Sequence, residues 1–370
     1  MKNMQLQKSI TFYVDPAWRR EDLLHSALLF PFWENPSGKD NVLLRTMLFK
    51  NRSFDTSVYR ITDNKEDADA VFMPYSHSTV RRSYPELLET CGTVAQELGV
   101  PLLVDGMEDV SHAIHTPNTY VLRYGAYDFE KNDSEIIVPL LANDLLEIYC
   151  GGQLQIRAKG ETPVVGFAGW AHLTPYRTLR TVVKELPDRL HGIFDGRFKA
   201  KKKGVFFRAQ ALKILEKSPK VACNFISRNS YSGHAHTASK SIEELQKDFV
   251  DNILASDYGL DVRGDSNAST RLFEILSLGR IPVIVNTERV FPFSDKVDYS
   301  SFSLIVDFRD INRLPDRIAE FHAAISQERF AHMQRNARDA YVNFFRVDAM
   351  MRSIVEELRI KIAPSGRGKS

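Results

Sequence analysis

Two kinds of apolar pattern alternate along the chain. Short apolar runs closed by polar or glycine-containing turns read as strands. Longer segments with apolar positions every three or four residues read as amphipathic helices. Residues 10–14, 70–73, 100–104, 120–123 and 135–139 are of the first kind, and Tyr59 and Ile61 suggest another strand; 22–30, 40–50 and 84–98 are of the second kind. Residues 150–163, with Gly151, Gly152, Gly160 and Pro163, read as a linker, after which a second series begins. Its expected strands are 163–168, closing in a glycine turn, then 221–226, 258–262, 281–285 and 304–307; its helices are 176–190, 242–255, 311–327, 328–345 and 348–362. Alternating strands and helices predict an α/β fold with parallel sheets. The expected organisation is an N-terminal domain over 1–158, a C-terminal domain over 159–345, and a helix and tail over 346–370 packing back on the N-terminal domain.

One stretch of the second series, 256–285, stands out. The apolar positions Tyr258, Leu260 and Val262 run into a polar turn, Arg263 to Asn267, and a helix is expected to start near Ala268. Leu272, Phe273, Ile275, Leu276 and Leu278 form its apolar face, and Gly279 is placed to release the chain into the next strand. Asn267, Arg271 and Glu274 fall on the opposite side. A helix start rich in small polar groups offers free N–H groups and a positive dipole end, which suits a phosphate. Arginine supplies diphosphate charge, and glutamate can accept two hydrogen bonds from ribose hydroxyls. By spacing alone, Arg271 and Glu274 could equally form an ion pair on a solvated face.

Composition narrows the class. A chain of 370 residues exceeds one typical core. Its net charge of +2 gives no strong field favouring nucleic acid. Three widely spaced cysteines, Cys91, Cys150 and Cys223, form no disulfide framework and fit a reducing compartment. No run approaches the ~20 apolar residues of a membrane span, and the first residues lack a signal-peptide core. These features lead to the expectation of a cytoplasmic protein, with peripheral membrane contact left open.

Other chemical motifs are weaker. Asp67-Ala68-Asp69 looks like a metal-binding carboxylate pair but precedes its strand, so it reads as a turn, and no metal is expected. The final GRGKS lacks the first glycine of a phosphate loop and has no helix to follow it. His234 and His236 with Cys223 match no standard zinc spacing. Lys199 to Lys203, KAKKK, reads as a solvated loop. No GxGxxG sits at a strand–helix turn.

The block Ser256-Asp257-Tyr258, Arg263-Gly264-Asp265, Asn267, Ser269, Arg271, Glu274 and Gly279 to Val283 resembles the C-terminal half of the exostosin family of glycosyltransferases, family 47. Agreement continues through Thr287, residues 304–307, Asp310-Ile311 and Phe321-His322. Upstream, Ala68 to Pro74 and Val165 to Gly169 look like further family segments. Asp261 and Val262 depart from the family's common Cys-x-Pro. The resemblance implies a GT-B architecture, two facing Rossmann-like domains with a central cleft. It also implies an inverting, metal-independent transfer from a nucleotide sugar, expected to be a UDP-sugar, to a saccharide or glycolipid acceptor in polysaccharide assembly. Donor binding falls to Arg228, Arg263, Gly264, Asn267, Ser269, Thr270, Arg271 and Glu274. An inverting transfer needs a general base; Asp105 at a strand end is preferred, with Glu108, Asp128 and His77 open. Rival readings are an inactive nucleotide-sugar-binding partner of a synthase and an epimerase of the same shape.

Overall fold

A computed structural model describes residues 9–33, 52, 54–109, 112–171, 173–228 and 242–362. The expected helix over 40–50, the His234–His236 pair and the GRGKS tail lie outside these residues.

The chain divides into two compact units. Unit 1 comprises residues 1–124, 132–139 and 347–370. Its strands are β1 (Ile10–Tyr13), β2 (Tyr59–Thr62), β3 (Ala70–Phe72), β4 (Leu102–Asp105), β5 (Thr119–Arg123) and β6 (Glu135–Ile137). All pair in parallel, in the order β2-β1-β3-β4-β5-β6. Helices α1 (His77–Ser83) and α2 (Leu87–Leu98) follow β3. Residues 22–30 are not the expected helix. Ser26 N–H donates to the Pro74 carbonyl at 2.8 Å, holding that segment against the chain after β3 until a 3-10 turn at Ala27–Leu29.

Unit 2 comprises residues 125–131 and 140–346. It begins with helix α3 (Leu145–Cys150), and its first strand is β7 (Val164–Trp170). Between β7 and β8 (Ala222–Arg228) lie α4 (Pro175–Lys184), α5 (Leu186–Phe194) and α6 (Gly204–Glu216). Helix α7 (Ile242–Leu254) leads to β9 (Tyr258–Val262), α8 (Thr270–Ser277), β10 (Ile281–Asn286) and β11 (Leu304–Asp307). Helices α9 (Leu314–Ala324) and α10 (Gln327–Ala340) complete the unit, and α11 (Val347–Ile362) returns to unit 1, where Arg359 donates to the Val58 carbonyl at 2.8 Å. The sheet is wholly parallel in the order β11-β10-β9-β7-β8. Both sheets therefore have the α/β class expected.

Strand alternation explains the layering of unit 2. Val165 and Phe167, with Tyr258, Leu260 and Val262, point to one face, where α6 and α9 add Phe207, Ala211, Leu215, Leu314 and Ile318. Ala168 points to the other face and meets Phe249 and Ile253 of α7 and Ile275 of α8. A strand covered on both faces reads as a continuous apolar run, as β10 does.

Residues 140–158 pack with unit 2, whereas the sequence reading placed the junction at 158/159. Asp144 takes a two-bond clasp from Arg338, at 2.6 and 2.9 Å, and Arg157 pairs with buried Asp257 at 2.7 Å. The expected linker is thus pinned by long-range polar contacts that no local pattern announces. Helix α6 was also not anticipated, and the expected helix 176–190 is two helices, α4 and α5, meeting at Glu185.

Gly279 ends α8 in the left-handed conformation, φ 62°. Its N–H donates to the Leu276 carbonyl at 2.9 Å, and Arg280 N–H to that of Ile275 at 3.1 Å, the paired closure of a Schellman cap. A Cβ here would also lie 2.3 Å from the Leu154 side chain. Gly279→Ala is expected to lower unfolding free energy by about 1–2 kcal/mol from the backbone alone, with the Leu154 contact adding to it; urea denaturation measures this.

Candidate functional site in unit 2

The strand order marks one edge of the sheet as the candidate site. From β7 the chain moves to β8 on one side and then, by way of α7, to β9 on the other. The carboxyl ends of β7 and β9 therefore flank a topological switch point, the position at which open parallel sheets bind ligands. The block 263–274 follows β9 at this edge.

Arg271, in the first turn of α8, is half-buried. Its guanidinium lies 4.5 Å from the centre of the Phe167 ring and donates to the Ala168 carbonyl at 3.1 Å. A Cβ at position 169 would fall 2.4 Å from Arg271 Nη2, so Gly169 makes room for the guanidinium. Glu274, one turn on, is also half-buried. Burial raises its pKa above the ordinary 4.5, an effect opposed by Arg271 and reinforced by Asp261. The pair is therefore not a solvated surface ion pair.

A residue not singled out in the sequence completes the edge. Arg208 of α6 is buried and bridges the switch point, donating from Nε to the Val262 carbonyl at 3.0 Å and from Nη1 to that of Trp170 at 3.3 Å. Two guanidinium groups thus rest on carbonyls of the same strand end, Ala168 and Trp170. The signal for α6 was present, since Val205, Phe207, Ala211, Leu212 and Leu215 recur at helical spacing. The destination of Arg208 depends on the β7–β9 pairing and is not legible locally.

Other anticipated residues serve different ends. Arg263 is 1% exposed, and its guanidinium donates to the carbonyls of Ala200, Lys202, Asp265 and Ser266. These bonds hold the turn, and burial lowers the pKa of Arg263. Asn267 does not share the Arg271 face. It is buried before the helix, its Nδ2 donating to the carbonyls of Ala126, Thr287 and Glu288 and its Oδ1 accepting from the Thr287 hydroxyl at 2.7 Å. It ties the 125–131 segment to the loop after β10. Ser269 occupies the N-cap position of α8 without a side-chain cap bond, and Thr270, half-buried, opens the helix. Gly264 is half-buried; a side chain there would meet only Arg208, at ordinary contact distance of 3.6 Å. Arg228 ends β8 at the sheet's edge and is drawn to α7, donating to the Leu245 carbonyl at 2.9 Å beside Asp248.

The lysine run is not a solvated loop. Lys201 pairs with Glu130 and Lys203 with Asp265 at 3.3 Å, while Lys202 lies over the Phe206 and Phe207 rings. Asp69 accepts the Thr11 N–H at 2.9 Å just before β3, at the amino edge of its sheet, away from the edge where ligands bind.

In unit 1, Asp105 ends β4 but is 3% exposed, and its Oδ1 accepts the Met107 N–H at 3.0 Å. That is a turn-closing bond, so the structure places the preferred base as a cap. Glu108 accepts the Ser78 N–H at the start of α1. His77 is buried, and desolvation together with Arg81, Arg123 and His112 lowers its pKa. Asp128 belongs to unit 2, where its N–H donates to the Glu288 carbonyl at 2.9 Å. Among the described residues there is no cluster of three or more histidine, cysteine, aspartate or glutamate side chains able to hold a metal ion.

The site defined here is a parallel-sheet switch point carrying arginine and glutamate at a helix start. Residues 187–321, which contain all of the 256–285 block, match the family model described as the Exostosin GT47 domain. That segment is thus similar to the domain of the exostosin glycosyltransferases, the family that the block resembles. A Caenorhabditis elegans protein, "Exostosin-1 homolog", is 31% identical over 113 residues, 30% of this chain and 27% of that relative's length. Among solved structures, Anabaena HepE in complex with UDP-glucose aligns with 95% of this chain and 99% of its own, at 9% identity and a TM-score of 0.39. Sucrose-phosphate synthase from Thermosynechococcus elongatus aligns with 97% of this chain and 100% of its own, at 11% identity and a TM-score of 0.35.

Proposed function

We propose that unit 2 binds the nucleotide diphosphate of a UDP-sugar at this edge and that the protein transfers the sugar, with inversion and without a metal, to a saccharide acceptor. The observation supporting this reading is the convergence of Arg208 and Arg271, which with Glu274 belong to the segment matched by the GT47 family model, on the end of β7. The leaving diphosphate develops charge as the glycosidic bond breaks. Fixed guanidinium groups and the N–H groups opening α8 stabilise that charge without reorganisation. Glu274 accepts hydrogen bonds from the ribose hydroxyls. Arg263 and Asn267 hold the turn that presents these groups.

Titration of UDP, GDP and CMP by calorimetry, with and without EDTA, tests the donor site. UDP is expected to bind in both conditions; absence of any binding, or its abolition by EDTA, overturns the reading. Release of UDP only when acceptor is present distinguishes a transferase from an inactive binding partner. An epimerase would convert the nucleotide sugar with no acceptor.

The raised pKa of Glu274 gives a pH test. An ionised carboxylate is the better acceptor, so UDP affinity is expected to fall with pH through a midpoint above 4.5. The same shift opposes folding as pH rises through that window, because the folded form then holds more proton than the unfolded chain. A Glu274→Gln variant should lose the pH dependence; a midpoint at or below the ordinary value would count against the assignment.

Asp105→Asn preserves an oxygen for Met107 N–H. Turnover is expected within a few-fold of the parent, as suits a cap. A loss of about 10²–10⁴-fold with unchanged thermal stability would reinstate Asp105 as the base.

A further inference from the structure

Helices α4 and α5 leave a long apolar stripe uncovered. Tyr176, Leu179 and Val183 lie along α4 at helical spacing, and Leu186, Leu190, Ile193 and Phe194 continue along α5. All seven are more than half exposed, Tyr176 at 74%, Ile193 at 72% and Phe194 at 90%. Such a run is not the scattered exposure normal for a protein surface. Among the described residues no helix is long and apolar enough to cross a membrane.

The charges on the two helices are segregated by sign. Arg177, Arg180 and Lys184 are exposed and have no ion-pair partner among the described residues. Both carboxylates are turned to partners within the unit. Glu185 takes the Arg189 guanidinium at 2.9 Å and the Lys203 N–H at 2.7 Å, and Asp188 lies 3.9 Å from Lys201 Nζ. The outward charge beside the stripe is therefore positive. A second copy seated on the same stripe would add three more cations, and Glu185 and Asp188 are each already beside a cation of their own unit. An anionic lipid surface satisfies both features, accepting the apolar side chains at the headgroup boundary and neutralising the cations.

We propose that the α4–α5 face docks this protein on anionic bilayers, with Leu190 and Phe194 entering the boundary and Arg177 and Arg180 on the headgroups. The proposal is independent of the nucleotide reading. Co-sedimentation with vesicles of phosphatidylcholine alone, and with added phosphatidylglycerol, tests it on the full chain. Binding to the anionic vesicles only, weakening with salt, is expected. An Arg177→Gln/Arg180→Gln variant should lower the partition coefficient roughly 25-fold, and Leu190→Glu/Phe194→Glu should abolish binding. Thermal unfolding verifies that each variant is folded; if the apolar variant is not, the arginine variant decides. Absence of binding by the parent, equal binding to both vesicles, or binding unchanged in the variants overturns the proposal. So does a dimer in light scattering that Leu190→Glu/Phe194→Glu dissociates while vesicles are ignored.

Discussion

Arg271→Lys is expected to reduce kcat/KM for sugar transfer by about 10²–10³-fold, the range for removing one preorganised donor to a developing negative charge. Lysine keeps the charge but not the planar fork. The guanidinium here uses one edge on the Ala168 carbonyl and its face on Phe167, which fixes its direction. An ammonium would satisfy the carbonyl and lose the orientation. Gly169→Ala offers a second route to the same effect, because it leaves Arg271 intact but places a methyl carbon 2.4 Å from Nη2. It is expected to weaken UDP binding in the same direction while altering no charge. Steady-state UDP release with calorimetric UDP affinity reads both variants. Parental kcat/KM in Arg271→Lys would remove Arg271 from the site.

How far this site could be read from sequence depends on the range of the interactions involved. The β9–α8–β10 unit was legible because its signals are local. Tyr258, Leu260 and Val262 alternate, Leu272 to Leu278 recur at helical spacing, and Gly279 supplies the left-handed cap. Arg271 and Glu274 followed from their place on that helix. What failed was the destination of long polar side chains. Arg263 and Asn267 sit in a polar turn and look available to a ligand. The structure spends their donors on carbonyls of residues 126, 200, 202, 287 and 288, far away in sequence. Arg208 illustrates the converse, since its carbonyl partners lie at the ends of two strands brought together only by the sheet. Segment 125–131 shows the same limit at the level of units. Its residues follow β5 in sequence, yet backbone bonds from Val290 to Ala126 and from Asp128 to Glu288 hold it in unit 2.

Asp261, one of the departures from the common family pattern, has a structural counterpart that yields the largest stability effect. It is wholly buried in β9, and Arg289, 3% exposed at its side chain, donates to Asp261 Oδ2 at 2.8 Å. A buried ion pair contributes little against an apolar replacement, but removing one partner strands a charge. Arg289→Met is therefore expected to lower the unfolding free energy of unit 2 by about 3–5 kcal/mol, and Arg289→Met/Asp261→Asn to recover more than half of that loss. Urea denaturation of the parent, both single variants and the double variant gives the coupling energy. A loss below about 1 kcal/mol in Arg289→Met would mean that the pair is not buried in solution. The effect should also reach the proposed donor site. Asp261 already raises the pKa of Glu274, and without Arg289 its charge is no longer offset. Arg289→Met, assayed where it remains folded, should shift the pH midpoint of UDP binding upward, and the added Asp261→Asn should bring it back. A midpoint unmoved by either change would separate the buried pair from the site.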